Sequence, residues 1–339
     1  MNKLKIPKLF SAILFAILFL IIANVLVAQV PTVFAPGVIS GPANDGAPTF
    51  TLDGKTLYFA RSGGSWGFIM ESHLINGVWA QPKIASFSGL WSDLQPTLSP
   101  DGKRLVFVSY RPKETVRNSK ATPNQPNNKP GVAALWEITR AGQGWSEPMR
   151  LPETVNISPR VFKPSIAADG SLYFMAKTND SKTFRLFRAQ YKDGTYGQSV
   201  PLSFSDGNTT DVDPEVAPDE SFLIFSSAGR AAAEDSHEHL YIVFKEGLSW
   251  GTVQPLRYAG DYEKNPSDDG EANLSPDLQT LYFNSSRTTP IRANRTKEEA
   301  ALDFERLNLW DNSNSNVWMI PLAPWLNELK SGSANRSQN

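Results

Sequence analysis

Apolar residues in this chain fall into short runs divided by polar turns, and the clearest case is Gln95 to Ser109. It reads as a strand, a Pro100-Asp101-Gly102 turn and a second strand through Leu105-Val106-Phe107-Val108. Proline presets φ at the turn, aspartate bonds its own backbone, and glycine takes the left-handed position that closes a short hairpin. The pattern at 96–107 recurs at 48–59, 164–174, 214–225 and 272–283. Its turn aspartates, Asp53, Asp101, Asp169, Asp219 and Asp277, stand 48, 68, 50 and 58 residues apart. Five copies at such a period predict a repeat architecture.

Each copy is followed by further strand signal. After the first come Gly67–Ser72, the hairpin dipeptide Asn76-Gly77 and a run from Val78 to Ile84; the next three copies repeat this with Ala141-Gly142, Asp193-Gly194 and Glu246-Gly247 at the turn. The predicted fold class is therefore all-β, a β-propeller of five four-stranded blades. The fifth unit stops after its third strand, Asn316–Ile320, and the missing strand is expected from the other end, at Val33–Ile39. Closing the ring in this way removes an open sheet edge. A sixth blade would need another turn motif, and the sequence has none.

The Ser99-Pro100-Asp101-Gly102-Lys103 turn, followed by the Leu-x-Phe of Leu105 to Phe107, resembles the TolB-like, WD-type propeller repeat of bacterial periplasmic proteins, over nearly all of residues 31–322. Glu220 and Leu278 depart from it by standing where the repeat has glycine, and TolB itself has six blades. The resemblance implies a fold more than an activity, because such repeats serve protein binding, sugar-active enzymes and peptidase propellers alike. No Gly-x-Ser-x-Gly element follows the repeats, which argues against a propeller peptidase.

The leader changes the picture of location. Lys3, Lys5 and Lys8 precede an apolar run from Leu9 to Ala28 broken only by Ser11 and Asn24, which reads as a signal peptide (1–28) cut before Gln29. A periplasmic or secreted protein is expected, with membrane attachment only if 9–28 stays uncleaved, since about 20 apolar residues suffice to span a bilayer. Residues 29–325 form the single propeller domain, and 326–339 a flexible tail. There is no cysteine, so disulfides and a lipid-anchored leader are excluded. Loss of three lysines moves the net charge from −1 to about −4, which argues against nucleic-acid binding. Two insertions break the repeat: 111–131, rich in proline and basic residues and expected to be a mobile loop, and 287–315, where Thr296 to Glu299 reads as a helix capping box.

Candidate chemistry lies just before the innermost strands, at the channel mouth. Asp45, Asp93, Asp211 and Asp269 stand three residues ahead of the proline position in four blades, with Val161 in that place beside Arg160 in blade three. Asp213, Glu271, Asp268 and Gln95 add polar groups, and Trp91 stands beside the rim acids as a ligand-stacking candidate with Trp66 and Trp310. Carboxylates converging on a funnel suit a cation, a sugar or a basic peptide. Equally, each aspartate caps its own turn. A pair of these acids would also suit a glycosidase, although the Ser-x-Asp-x-Gly-x-x-Trp box of sialidases is missing. His237-Glu238-His239 reads as a polar loop entering a strand, because no third metal ligand accompanies it. Trp79, Trp145 and Trp250 recur at fourth strands and are read as packing between blades.

The reading is an exported propeller acting as a binding module of the envelope, for a protein, peptide or carbohydrate, with no catalytic residue assigned. The alternative is a glycoside hydrolase or lectin using the same carboxylates. No cofactor is required, but a calcium ion at the channel mouth would fit the carboxylates.

Overall fold

The computed structural model describes residues 30–64, 66–113, 131–230, 237–258, 267–289, 291–322 and 326. Its innermost strands are Asn44–Phe50, Asp93–Leu98, Val161–Ile166, Thr210–Val216 and Asp269–Leu274. Each opens an antiparallel sheet, and each packs beside the innermost strand of the next sheet, the fifth returning to the first. That is a five-bladed β-propeller, as the repeats predict.

The repeated turn works through the chemistry of its residues. The carboxylates of Asp53, Asp101, Asp169, Asp219 and Asp277 each accept from the backbone N–H two residues on, at 2.7–3.1 Å. Glycines 54, 102 and 170 hold positive φ, and so do Glu220 (57°) and Leu278 (56°) in their place. Glu220 is held there by Arg188 at 2.7 Å and by the Tyr173 hydroxyl at 2.7 Å.

Fourth strands are shorter than the apolar runs imply. Blade one has Val78–Trp79 and Lys83–Ile84 instead of one strand through Ile84, because Pro82 breaks the ladder between them. Closure is likewise made by two residues: Thr32 pairs with Met319 and Val33 with Trp318 in the last blade. The expected strand through Ile39 stops early because Ala35 and Gly37 take positive φ and turn the chain. Side chains complete the seal. Phe34 is buried edge-on against Tyr282, Ile39 is fully buried, and the Ser40 hydroxyl donates to the Val317 carbonyl.

The core is divided into five apolar clusters, one at each junction between neighbouring blades. Trp79, Trp145 and Trp250 belong to these junctions; Trp145 donates its indole N–H to the Tyr58 hydroxyl of the preceding blade at 3.2 Å. The helix expected in the second insertion spans Lys297–Arg306 with Thr296 as N-cap and both capping-box bonds to Glu299. The signal segment 1–28, residues 114–130 of the basic insertion and the tail 327–339 lie outside the described residues. Among the described residues, no helix is long and apolar enough to cross a membrane.

Candidate functional site

The four rim aspartates do not converge. Each faces an arginine of its own blade: Arg61 to Asp45 at 2.6 Å, Arg111 to Asp93 at 3.0 Å, Arg230 to Asp211 at 2.8 Å and Arg287 to Asp269 at 2.5 Å. The aspartates are buried, and Ser109 and Ser227 add hydroxyl donors to Asp93 and Asp211. Desolvation raises the carboxyls of Asp45 and Asp93 above their ordinary value, against the pull of their arginines. Each guanidinium lies over an aromatic of its own blade: Phe59, Phe107, Phe225 or Phe283. Three also reach back to a carbonyl of the chain entering the blade, that of Ile39, Phe87 or Phe204. The pair is thus a latch where one blade passes into the next. Blade three replaces it with apolar contact, Val161 pairing with Ala176 inside the core.

Convergence occurs two residues further along. Every innermost strand carries a bulge, and its residue with positive φ is Ala47, Gln95, Lys163, Asp213 or Glu271. The left-handed backbone turns these five positions toward one another around the axis. Gln95 Nε2 donates to Glu271 Oε1 at 2.7 Å, and Gln95 Oε1 accepts from the Lys163 N–H at 2.9 Å. Asp213 Oδ2 accepts from the Glu271 N–H at 3.0 Å. Lys163 Nζ donates to the Ala272 carbonyl and to Asn273 Oδ1. Glycine is required beside this ring: a Cβ on Gly46 would stand 2.0 Å from Glu271 Oε2.

The ring is short of positive charge. Glu238, from the loop entering the third strand of blade four, faces the same region, and a Cβ on Gly270 would stand 3.0 Å from Asp213 Oδ2 and 3.7 Å from Glu238 Oε2. Burial, and then repulsion from Asp213, push the carboxyls of Glu238 and Glu271 up to about 7. Asp213 is also raised by burial, and its Oδ1 is buried with no hydrogen-bond partner. These groups can take a proton, or the positive or donor group of a ligand. Among the described residues, no three His, Asp or Glu side chains are grouped to hold a metal.

Of the residues singled out from the sequence, the structure brings Gln95, Asp213 and Glu271 together. Arg160 is exposed and outside this group. Asp268 bonds His237 Nδ1 and the Glu238 N–H. Trp91 and Trp66 line a separate cavity of about 440 Å³ between blades one and two, with Tyr110 and Leu94. Trp310 packs edge-on against Trp318. Lys163 and Glu238 were missed by sequence reading. Lys163 occupies the blade-three position equivalent to Gln95, so aligning the five copies on the second residue after the rim position would have found it. Glu238 stands inside the His237-Glu238-His239 motif, which reads as a polar loop, and nothing in that motif points its glutamate to the axis.

No family model matches the chain, and no curated protein matches it. Solved structures do. A putative TolB from Agrobacterium tumefaciens is similar over 72% of this chain and 70% of its own, at 16% identity and a TM-score of 0.46. TolB from Acinetobacter baumannii is similar over 82% of this chain, which spans 54% of that protein, at 15% identity and a TM-score of 0.46. An alpha-L-arabinofuranosidase from Lactobacillus brevis is similar over 84% of this chain and 92% of its own, at 15% identity and a TM-score of 0.50. Likeness at these identities is likeness of fold, the β-propeller.

Proposed function

We propose that this chain is an exported, TolB-like β-propeller that acts as a binding module in the bacterial envelope, and that it receives a basic group of a protein or peptide at the channel mouth. One observation carries the reading: Asp213, Glu238 and Glu271 crowd one end of the channel, and a buried oxygen of Asp213 has no partner. Lys163 is the cation that partly offsets Asp213 and Glu271, and its ammonium already bonds two acceptors. A lysine or arginine side chain of the ligand would supply both the missing charge and the missing donors.

Calorimetry with tri-lysine and tri-glutamate peptides tests this. Tri-lysine is expected to bind near pH 7 with release of protons, seen as a heat that varies with the ionisation enthalpy of the buffer, because a cation favours the ionised carboxylates. Asp213→Asn and Glu271→Gln should weaken it by about tenfold or more. Equal binding of both peptides, or of neither, would overturn the reading.

A second reading, glycoside hydrolysis, draws on the glutamates held near neutrality beside another carboxylate, as a general acid requires. Hydrolysis of aryl glycosides that is lost in Glu238→Gln or Glu271→Gln would favour it.

A further inference from the structure

On the face of the repeated turns, an aromatic residue opens the fourth-strand region of four blades: Trp79, Trp145, Tyr196 and Trp250. The residues paired with them across the hairpin are Leu74, Arg140, Tyr191 and Lys245 in turn. In three of these blades a cation of the chain itself covers the aromatic position. Arg140 lies over the Trp145 ring at 4.0 Å and Lys245 over Trp250 at 4.9 Å. Arg104 lies over Tyr191 at 4.6 Å and donates to the Tyr196 hydroxyl at 3.0 Å. Each cation also reaches the residue that follows a turn aspartate. Arg140 donates to the Gly102 carbonyl, Arg104 to the Gly170 carbonyl, and Lys245 stands 3.6 Å from the Glu220 carboxylate.

Blade one breaks this pattern. Leu74 takes the place of the cation, and among the described residues no cation lies over Trp79. A cavity of about 480 Å³ opens there between blades five and one, walled by Phe34, Phe50, Leu74, Trp79 and Tyr282. Gly54, the counterpart of Gly102, Gly170 and Glu220, lines it, and so do the turn carboxylates Asp53 and Asp277. Each of the two uses Oδ1 for its own turn. Neither has an ion pair among the described residues, whereas Asp101 has Lys103 and Asp169 has Arg188. Burial, and then the charge of Asp277, push the Tyr282 hydroxyl up to about 12, with no cation to oppose them as Arg140 does at Tyr58. The cavity therefore offers the ring, the carbonyl and the negative charge that elsewhere hold a cation of the chain.

Two of the three internal cations are arginines. A flat guanidinium stacks on a ring and donates along its edge at the same time, which a compact ammonium does less well. Leu52, 69% exposed beside the carboxylates, adds apolar contact for a surface that carries the cation in. We propose that this cavity receives an arginine side chain of a partner protein, its guanidinium over Trp79 and donating to the Gly54 carbonyl and the turn carboxylates. The site lies on the face of the turns, away from the carboxylates of the proposed function, and stands independently of that reading.

The probe is N-acetyl-arginine amide, titrated into the whole protein by calorimetry and ligand-observed NMR. N-acetyl-citrulline amide, of the same shape without the charge, is the control. Wild type is expected to bind the arginine probe in about the millimolar range and the citrulline probe about tenfold more weakly. Leu74→Arg supplies the cation that blades two and four carry, and should abolish binding. The double variant Asp53→Asn/Asp277→Asn keeps a side-chain acceptor for both turns and should weaken binding about fivefold or more. No binding to wild type, or citrulline binding as tightly, overturns the proposal. So does binding that is unchanged in either variant, which would place the guanidinium elsewhere, as at the channel mouth. The asparagine variant preserves the turns, so it decides the location even if Leu74→Arg fails to fold.

Discussion

Gln95 of blade two spans the channel to Glu271 of blade five, donating at 2.7 Å, while its own amide oxygen accepts from the backbone of Lys163 in blade three. One side chain thus joins three of the five blades where no apolar core exists to do so. Gln95→Ala would leave the Lys163 N–H and a Glu271 oxygen buried without partners, so the expected loss is about 1–3 kcal/mol. Thermal or urea melts read it, and an unchanged midpoint would show that the cross-channel bond contributes nothing.

Glu271 also sets a pH dependence. Its carboxyl moves from an ordinary value of 4.5 to about 7 on folding. Between those values the unfolded chain has released the proton and the folded chain has kept it, so this group's contribution makes stability fall as pH rises through that window. Glu271→Gln removes the contribution. Relative to wild type, the variant should therefore gain in melting temperature from pH 5 to pH 8, and a gap that stays constant or shrinks would contradict the shift.

The latch pairs behave in the opposite sense from a ligand site. Asp93 is fully buried and the Arg111 side chain is 7% exposed, so Asp93→Ala strands a guanidinium inside the protein. A loss of about 3–5 kcal/mol is expected. The double variant Asp93→Ala/Arg111→Ala should cost clearly less than the sum of the singles, because the second change removes the stranded charge. Additive losses in melts of the three variants would mean that the pair is not coupled.

How much of this was legible follows from where the information sits. Turn chemistry is local, so Pro100-Asp101-Gly102 and its copies disclose the blades and their number. The rim aspartates announce their position by recurrence, but their partners do not: Arg111, Arg230 and Arg287 lie beyond the second strand and are brought back only by the hairpin. The ring at the axis is harder still. Ala47, Gln95, Lys163, Asp213 and Glu271 share a backbone conformation rather than a residue type, and a left-handed bulge leaves no compositional mark when glycine is absent. Glu238 enters from another loop entirely.

Closure by the N-terminus is testable by deletion. Removing residues 30–40 takes away the strand partner of Met319 and Trp318 together with buried Phe34 and Ile39. The last blade would then present an unpaired edge. The truncated protein should melt earlier and form soluble aggregates in light scattering, and a monomer with the parent melting temperature would place the closure elsewhere.

Two glycines separate backbone strain from crowding. Gly102 holds φ at +69° with nothing within 4 Å of an added Cβ, so Gly102→Ala meets no neighbour and its expected cost, about 1–2 kcal/mol, is that of the left-handed backbone alone. Gly46 is the reverse case. Its φ is not in the left-handed region, but an added Cβ would stand 2.0 Å from Glu271 Oε2. That carboxylate is fixed by Gln95 on one oxygen and by Asn284 Nδ2 on the other, so Gly46→Ala must displace it and break those bonds. The discriminating measurement repeats both substitutions in a Glu271→Ala background. There the cost of Gly46→Ala should largely vanish, since the obstructing carboxylate is gone, while that of Gly102→Ala should persist, the two sites sharing no partner. If Gly46→Ala costs as much without Glu271 as with it, the obstruction is backbone and the carboxylate is not what requires glycine there.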